Sequence, residues 1–323
     1  MGLEFDLIRR YFTHPGRHTL LGVGDDAALL APAAGKVLAV SADMLVAGRH
    51  FLADTDPERL GHKAMAVNLS DRAAMGATPR WVLLSLALPR ADERWLAAFA
   101  RGFQAAAATH QVDWVGGDTT AGPLNLSVTI LGEVQAAQAL RRGGGKPGDQ
   151  LWVSGTLGDA ALGLATLQGR YRLPPDERDF CVQRLELPTA RVALGLQLAG
   201  LAHAALDISD GLLADLDHLL QASGVGATLE LDQIPLSPVL AARSRENLVR
   251  EAILAGGDDY ELCFSADPAD RPAILAAAAA ARTPVTCIGV LRSEPGVLVR
   301  DADGQPVVTR RRGYDHFDPQ APE

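Results

Sequence analysis

Aspartates in short turns of glycine and other small residues constrain this chain more than any other feature of its sequence. Residues 22–26 place Asp25 and Asp26 side by side behind two glycines, just before an apolar run. Like charges this close repel each other unless a cation or solvent screens them. Any fold must therefore supply that screening at several places, because similar segments return at residues 41–43, 68–71, 116–120, 207–211 and 256–259.

Carboxylates on such turns are typical of sites that hold Mg²⁺ together with phosphate groups. Mg²⁺ prefers oxygen ligands and combines one or two carboxylates with waters and phosphate oxygens. Glycines let the backbone approach phosphates and expose N–H donors. Phosphoryl transfer depends mainly on positioning and charge neutralisation, which agrees with the lack of a convincing Ser-His-Asp or Cys-His constellation. We therefore predict that the turns converge on one Mg–nucleotide site with more than one metal ion.

Length and composition predict a two-domain protein that neither spans a membrane nor binds nucleic acid. A chain of 323 residues is long for one core. Its apolar runs fall short of the roughly 18 to 20 residues that a membrane span needs, and its first residues lack a signal-peptide pattern. The net charge of −9 argues against nonspecific nucleic-acid binding. Three scattered cysteines fit reduced thiols, so we expect a cytoplasmic protein.

A basic, glycine-rich segment at residues 141–149 marks the predicted domain boundary. We expect an N-terminal sheet-plus-helix domain over residues 1–138 and a C-terminal α/β sandwich domain over residues 139–323. Strand-like and helical segments alternate in both halves, which favours an α/β or α+β fold. In this interpretation Asp43 follows a strand at 37–41, Asp71 lies on a helix at 57–75, Asp118 lies in a loop, and residues 173–179 form a polar loop.

Each motif also has a purely structural interpretation. A single Gly-Asp pair is usually a turn or a helix N-cap. His50 alone would be a solvated loop histidine, and Lys63 fits either phosphate binding or a plain helix-face charge. Arg142 lies in the basic loop, where anion binding and solvation are both ordinary. The recurrence of the aspartate turns, and no single turn, favours a shared site.

Motifs from nearly the whole chain resemble those of the thiamine-monophosphate kinase family. The middle motifs are shared with aminoimidazole ribonucleotide synthetase, selenophosphate synthetase and a hydrogenase-maturation protein. The segments around His50, around residues 259–262 and at residues 313–317 look specific to the thiamine branch. The motifs that carry the resemblance are residues 4–8, 24–26, 48–51, 66–71, 74–77, 116–120, 207–212, 257–262 and 313–317.

The resemblance implies an enzyme that transfers the γ-phosphoryl group of ATP to thiamine monophosphate, giving thiamine diphosphate. It also implies several Mg²⁺ ions and a homodimer, with the N-terminal domain as the dimerisation domain. An acceptor phosphate is largely dianionic at neutral pH, so it can attack without a general base. By resemblance the metal ligands are Asp26, Ser41, Ala42, Asp43, Asp71, Asp118, Asp207 and Asp210, the ATP contacts are Gly117, Asp118, Arg142 and Ser209, and the substrate contacts are His50, Asp258 and Tyr314.

Three residues depart from the family pattern, and none removes the acidic cluster. Ala42 stands where the family usually has Thr, Asp258 where relatives often have Glu, and Arg72 where Leu is usual. A selenophosphate synthetase would be expected to carry a reactive Cys near the N-terminus, but the first Cys here is Cys181. A ligase acting on a purine precursor stays open from the motifs alone. An inactive nucleotide-binding scaffold is the alternative from another class, and the retained aspartates argue against it.

Overall fold

The computed structural model describes residues 6–308 and 313–314. The chain divides into two compact units. The first holds the described residues up to 72 together with residues 77–137, and the second holds residues 73–76 together with the described residues from 138 onward. No helix among these described residues combines the length and apolar character that crossing a membrane requires.

The first unit is a four-stranded sheet with two long helices. In chain order it contains a π-helical turn at Ile8–Phe12, β1 (Thr19–Leu21), β2 (Leu29–Leu30), β3 (Val37–Val46), α1 (Pro57–Ala74), β4 (Thr78–Leu88), α2 (Glu93–Thr109), β5 (Asp113–Ala121) and β6 (Asn125–Val134). The strand order is β3-β6-β4-β5, and β1 and β2 form a separate pair. Strands β4 and β5 run parallel, whereas β6 is antiparallel to both of its neighbours.

Helices α1 and α2 cross closely because glycines stand at the crossing. A Cβ atom on Gly102 would lie 1.8 Å from the carbonyl oxygen of Glu58, and one on Gly61 would lie 2.1 Å from that of Phe99. Any larger residue at either position would force the backbones apart. The apolar face of α2 is buried at helical spacing, and each such side chain contributes about 1.5–3 kcal/mol. It includes Leu96, Phe99 and Phe103.

The second unit is built around a six-stranded sheet. In chain order it contains β7 (Gln150–Ser154), α3 (Asp159–Leu167), α4 (Pro175–Glu186), α5 (Val192–Leu198), β8 (Ala204–Ile208), α6 (Leu212–Ser223), β9 (Gly226–Glu230), α7 (Pro238–Ala241), α8 (Asn247–Ala255), β10 (Glu261–Ala266), α9 (Arg271–Ala280), β11 (Val285–Arg292) and β12 (Gly296–Arg300). The strand order is β12-β9-β11-β7-β10-β8. Only the β12–β9 pair among these named strands is parallel.

The two sheet-plus-helix units confirm the predicted α/β (α+β) class, but several local predictions were wrong. Strand β3 continues to Val46 and β5 runs through residues 116–118, so Asp43 and Asp118 lie within strands. Helix α4 begins at Pro175, inside the predicted polar loop, because proline is well suited to the first turn of a helix. Residues 237–254, whose pattern predicts one helix, form two helices, α7 and α8, whereas the break between α4 and α5 contains Pro188, where a proline is expected to interrupt a helix. Most of the aromatic segment at 313–317 lies outside the described residues.

Candidate functional site

Two of the predicted metal ligands lie on the buried face of the first sheet. The register pairs Ser41 with Ile130 and Asp43 with Val128, and both partners are fully buried. Side chains of directly paired residues share a face, so Ser41 and Asp43 point toward the core side. The buried Oγ of Ser41 has no hydrogen-bond partner among the described residues. An unmade hydrogen bond of this kind costs about 1–3 kcal/mol, so this oxygen is suited to a further ligand.

Asp118 stands three strands away from Asp43 in the same sheet. Its partner across β4 is Ser85, and its Oδ1 accepts the N–H of Thr119 at 2.9 Å. Three strand spacings separate β3 from β5, which places their backbones about 14 Å apart. Mg²⁺–oxygen bonds of about 2.0–2.1 Å cannot span that gap from both sides. The register also pairs Ser85 with Ser127 and Ser127 with Met44, so Asp118 lies on the face opposite to Asp43 and the two carboxylates do not meet within this sheet.

Gly117 is required by the geometry of the strand that carries Asp118. Its φ angle is +146°, and a Cβ atom there would lie 1.7 Å from the carbonyl oxygen of Leu84. No other residue fits without moving β4 or β5. The glycine that the sequence placed among the ATP contacts therefore also shapes the strand that presents Asp118.

The loop around Asp26 and the turn of His50 are each held by short local hydrogen bonds. Asp25 Oδ1 accepts the N–H of Asp26 at 2.8 Å, so Asp25 shapes the turn, while the side chain of Asp26 is exposed. His50 Nδ1 accepts the N–H of Val46 at 3.0 Å. A ring nitrogen that accepts from the backbone leaves the proton of a neutral imidazole on Nε2. This bond fixes the ring at the end of β3, two residues beyond Gly48.

Helix α1 carries Asp71 and a residue that the sequence interpretation missed. Asn68 lies one turn before Asp71 on the same face and is fully buried. Its Nδ2 donates to the carbonyl oxygen of Ala64 at 2.9 Å, whereas its Oδ1 has no hydrogen-bond partner within the described part of the chain. A buried amide with one unsatisfied oxygen near a half-buried aspartate is a polar site on a helix that also buries Lys63, Ser70 and Arg72. Its signal in the sequence is an asparagine at an apolar position.

In the second unit, one turn organises several predicted site residues. The 209–211 turn (Ser209, Asp210 and Gly211) joins β8 to α6. Oδ2 of Asp215 accepts the N–H groups of all three residues, at 2.9, 2.9 and 3.1 Å. Asp215 is buried and lies inside α6. The sequence interpretation did not single it out, although an aspartate between the apolar positions Leu212 and Leu219 breaks the periodicity.

The same turn is bonded to two of the three predicted substrate contacts, Asp258 and Tyr314. The N–H of Asp258 donates to the carbonyl oxygen of Ser209 at 2.8 Å, and the N–H of Tyr314 donates to that of Asp210 at 2.9 Å. The structure therefore brings together a predicted ATP contact, a predicted metal ligand and two predicted substrate contacts. Asp207 lies at the end of β8, two residues before Ser209.

The segment around Asp258 has a strained backbone. Asp258 and Tyr260 have φ angles of +68° and +51°, which only glycine adopts readily. Such conformations cost about 1–3 kcal/mol each and cluster at functional sites. The intervening Asp259 is buried, and its two carboxylate oxygens accept the N–H of Gly158 at 3.0 and 2.8 Å. This anchor stabilises the strained segment, in which the Tyr260 hydroxyl donates to Asp258 Oδ1 at 3.3 Å.

Negative charge accumulates around the 209–211 turn. Burial raises the pKa of Asp215, and the charge of Asp210 raises it further. The N–H groups of Asp210 and Ser209 oppose this rise and Asp207 adds to it, so that the pKa of Asp215 reaches about 7. A cation near Asp207 and Asp210 would relieve this repulsion.

Arg142 lies away from the 209–211 turn within the second unit. Its side chain is exposed, and its carbonyl oxygen accepts the hydroxyl of Ser223 at 3.1 Å. Ser223 is the last residue of α6, whereas the turn precedes the first, and a helix of 12 residues is about 18 Å long. Among the described residues no three His, Cys, Asp or Glu side chains form a group that could hold a metal ion. The assignments of metal ligands, ATP contacts and substrate contacts therefore stay predictions.

Comparison with known proteins identifies the family. Residues 24–134 match the N-terminal domain and residues 146–301 the C-terminal domain of AIR synthase related proteins. The thiamine-monophosphate kinase of Salmonella typhimurium is 44% identical over 318 residues, covering 97% of this chain and 98% of that protein. The chain belongs to the thiamine-monophosphate kinase family.

Solved structures of thiamine-monophosphate kinases share the fold. That of the Stenotrophomonas maltophilia K279a protein has a TM-score of 0.83 and 47% identity, covering 90% of this chain and 93% of that chain. AaThiL, complexed with AMPPCP and TMP, has a TM-score of 0.76 and 34% identity, covering 91% of this chain and 92% of that chain. The sequence resemblance stated above is thus confirmed over almost the entire chain.

Proposed function

We propose that this chain catalyses the ATP-dependent phosphorylation of thiamine monophosphate to thiamine diphosphate. The observation that carries the proposal is the group formed by Ser209, Asp210, Asp258 and Tyr314, which are bonded to one another through a single turn. Its members have the charges and hydrogen-bonding groups that a nucleotide, a metal ion and a cationic substrate require. AaThiL, which is 34% identical, was solved with AMPPCP and TMP.

In the proposed reaction the phosphate of thiamine monophosphate is the nucleophile. One of its oxygens forms a bond to the γ-phosphorus of ATP, and the bond from that phosphorus to the β–γ bridging oxygen breaks, so that ADP leaves. Because the attacking phosphate is largely dianionic at neutral pH, no general base is needed. The role of the chain is to align the two phosphates in line and to exclude other orientations.

We further propose that Mg²⁺ ions are held by Asp26, Ser41, Ala42, Asp43, Asp71, Asp118, Asp207 and Asp210. Two observations support the fit: the unpartnered buried oxygen of Ser41, and the pKa of Asp215, which burial raises first and the charges of Asp210 and Asp207 raise further. When bound, Mg²⁺ neutralises phosphate charge and orients the donor and acceptor phosphates. Gly117, Asp118, Arg142 and Ser209 are the proposed ATP contacts, and His50, Asp258 and Tyr314 the proposed contacts to thiamine monophosphate.

A homodimer formed through the N-terminal sheets is also proposed. Strand β3 is an edge strand, and an exposed edge rich in apolar residues is a pairing surface. Val40 and Met44 on β3 are 57% and 58% exposed, and Val37 and Leu38 are also exposed. A second copy of the chain would cover these side chains. The cytoplasm is the proposed location, since the three free cysteines suit a reducing compartment.

The decisive assay combines the purified protein with ATP, Mg²⁺ and thiamine monophosphate and follows thiamine diphosphate by chromatography. We expect one thiamine diphosphate for each ADP formed, and none when thiamine replaces its monophosphate. Normal ATP binding without any product would refute the kinase and favour a nucleotide-binding scaffold. ATP turnover that requires a purine precursor in place of thiamine monophosphate would favour the ligase.

A variant of α1 sharpens this test. Asp71→Asn is isosteric and should leave the fold intact while lowering turnover by about a hundredfold or more, since a proposed metal ligand loses its charge. Glu58→Gln on the same helix is the matched control, because the side chain of Glu58 forms an exposed ion pair with Arg101, which contributes little to stability. Near-normal turnover by Asp71→Asn, with the control also normal, would contradict the proposed ligand set.

A further inference from the structure

We propose that Asp215 is a positioning residue for the phosphoryl transfer, because its carboxylate holds the 209–211 turn in the conformation that presents the nucleotide, metal and substrate contacts together. The inference rests on the proposed function for its consequences in catalysis. The claim that the carboxylate of Asp215 orders the turn depends only on the geometry of this chain.

A single oxygen of Asp215 makes all three bonds. Oδ2 accepts the N–H groups of Ser209, Asp210 and Gly211, which are three consecutive residues. Consecutive N–H groups that converge on one point form a concave anion site. Here a side chain of the same chain occupies that site, and it is buried away from solvent. Three charge-assisted bonds to one oxygen fix the backbone of the turn more strongly than an ordinary loop bond would.

These bonds extend beyond helix capping, because Asp215 accepts the N–H of the N-cap residue Gly211, as a capping-box side chain does, and also those of Ser209 and Asp210 before it. A capping side chain normally precedes the helix and accepts N–H groups of its first turn. Asp215 instead lies within α6, where its own N–H donates to the carbonyl oxygen of Gly211 at 3.0 Å. Its carboxylate reaches back to residues that come before the helix. The bond to Gly211 caps the helix, whereas the bonds to Ser209 and Asp210 order the turn before it.

The turn is also hydrogen-bonded to two predicted substrate contacts, so its conformation affects their position. The carbonyl oxygen of Ser209 accepts the N–H of Asp258, and that of Asp210 accepts the N–H of Tyr314. A Cβ atom on Gly257 would lie 2.4 Å from the carbonyl oxygen of Ser209, so the two segments are already in close contact. A shift of the turn by even a few tenths of an ångström must therefore move the segment of Asp258.

The test compares Asp215→Asn and Asp215→Ala with Leu219→Ala. Leu219 is fully buried one turn further along α6, so its truncation weakens the same helix without contacting the turn. Amide hydrogen exchange of residues 209–211 is measured in the absence of ligands, and kcat and KM are measured for ATP and thiamine monophosphate. If Asp215→Ala does not fold, the isosteric Asp215→Asn variant decides the outcome.

We expect faster exchange at residues 209–211 in both Asp215 variants and not in Leu219→Ala. We also expect kcat/KM for thiamine monophosphate to fall by about tenfold in Asp215→Asn and by about a hundredfold in Asp215→Ala. Unchanged exchange and unchanged kcat/KM in a folded Asp215→Asn variant would overturn the inference. So would an equal loss in Leu219→Ala. If the wild type makes no thiamine diphosphate, the proposed function fails, while the exchange data still decide whether Asp215 orders the turn.

Discussion

Two buried aspartates, one in each unit, accept backbone N–H groups from a turn, yet their surroundings are opposite. Asp113 accepts the N–H groups of Arg17 and His18 and the hydroxyl of Thr19. Burial acts to raise the pKa of Asp113, but these donors and the nearby His18 outweigh it and leave that pKa below its usual value. Burial also raises the pKa of Asp215, and there the nearby carboxylates of Asp210 and Asp207 add to the rise, so that this pKa reaches about 7.

The difference separates a turn that is complete in the ligand-free chain from one that is not. Burial acts against the charged form of Asp113, but the local donors outweigh it, so its carboxylate is stabilised by the fold itself. For Asp215, burial and the charges of Asp210 and Asp207 outweigh the N–H groups of Asp210 and Ser209 and raise its pKa, so a nearby cation would stabilise its charged form. Repulsion that lowers stability in the absence of ligand is typical of functional sites.

The largest effect on turnover is expected from removing a charge at the 209–211 turn. Asp210→Asn should lower kcat/KM by at least about a hundredfold, because a proposed metal ligand is lost. The same substitution should raise the melting temperature of the metal-free protein, because it removes the repulsion with Asp215. Turnover is assayed with Mg²⁺, and thermal unfolding is measured separately in a chelating buffer. Asp232→Asn, at an exposed position in the same unit, is the control. A lower melting temperature for Asp210→Asn would contradict the repulsion.

The pH dependence of stability should differ in sign between the two aspartates. Because the pKa of Asp113 is lowered in the folded chain, its contribution is present above its unfolded pKa of about 3.9 and is lost as the pH falls through the folded value. Because the pKa of Asp215 is raised, its charged form penalises the folded state as the pH rises from about 4 toward 7.

Denaturant unfolding in metal-free buffer tests these signs. Between about pH 8 and pH 5 the wild type should gain free energy of unfolding relative to Asp215→Asn, while its advantage over Asp113→Asn stays constant. That advantage over Asp113→Asn should shrink only below about pH 4. Parallel pH profiles for the wild type and Asp215→Asn would show that Asp215 is not under electrostatic strain.

The smallest effect is expected at the strained segment. Tyr260→Phe removes the hydroxyl that donates to Asp258 Oδ1 at 3.3 Å, a long bond. A typical hydrogen bond contributes about 0.5–1.5 kcal/mol, so KM for thiamine monophosphate should rise by about two- to tenfold. KM for ATP should not change, because the bond orients only the proposed substrate contact. Equal changes in both KM values would mean that Tyr260 supports the segment in general.

Much of the fold followed from the sequence because local and global signals agreed. Residues 57–75 were predicted as a helix, and α1 spans Pro57–Ala74. The extents of β3 and β5 were missed because aspartate and glycine are rare in strands, so these residues indicated turns. Their strand conformation is imposed by pairing with β4 and β6, which a single sequence does not reveal.

The site was predicted in part for a similar reason. The segment 207–211 was recognised from its small residues and aspartates, and it does connect Asp258 with Tyr314. Asp215 was missed because its role depends on hydrogen bonds that reach backward along the chain. Asn68 and Ser41 were not distinguished by their unpartnered oxygens, since only packing shows that those atoms are buried. An isolated polar residue at an apolar helix position was the available signal for Asp215 and Asn68.

One paired measurement tests the contrast between the two turns most directly: kcat/KM for thiamine monophosphate and the free energy of unfolding at neutral pH, for Asp113→Asn and Asp215→Asn. We expect Asp113→Asn to lose about 1–3 kcal/mol of stability while its kcat/KM stays within about twofold of the wild type. Asp215→Asn should show the reverse, with nearly unchanged stability and a kcat/KM about tenfold lower. If both variants lose stability and activity in the same proportion, the two turns serve the same purpose and the account is wrong.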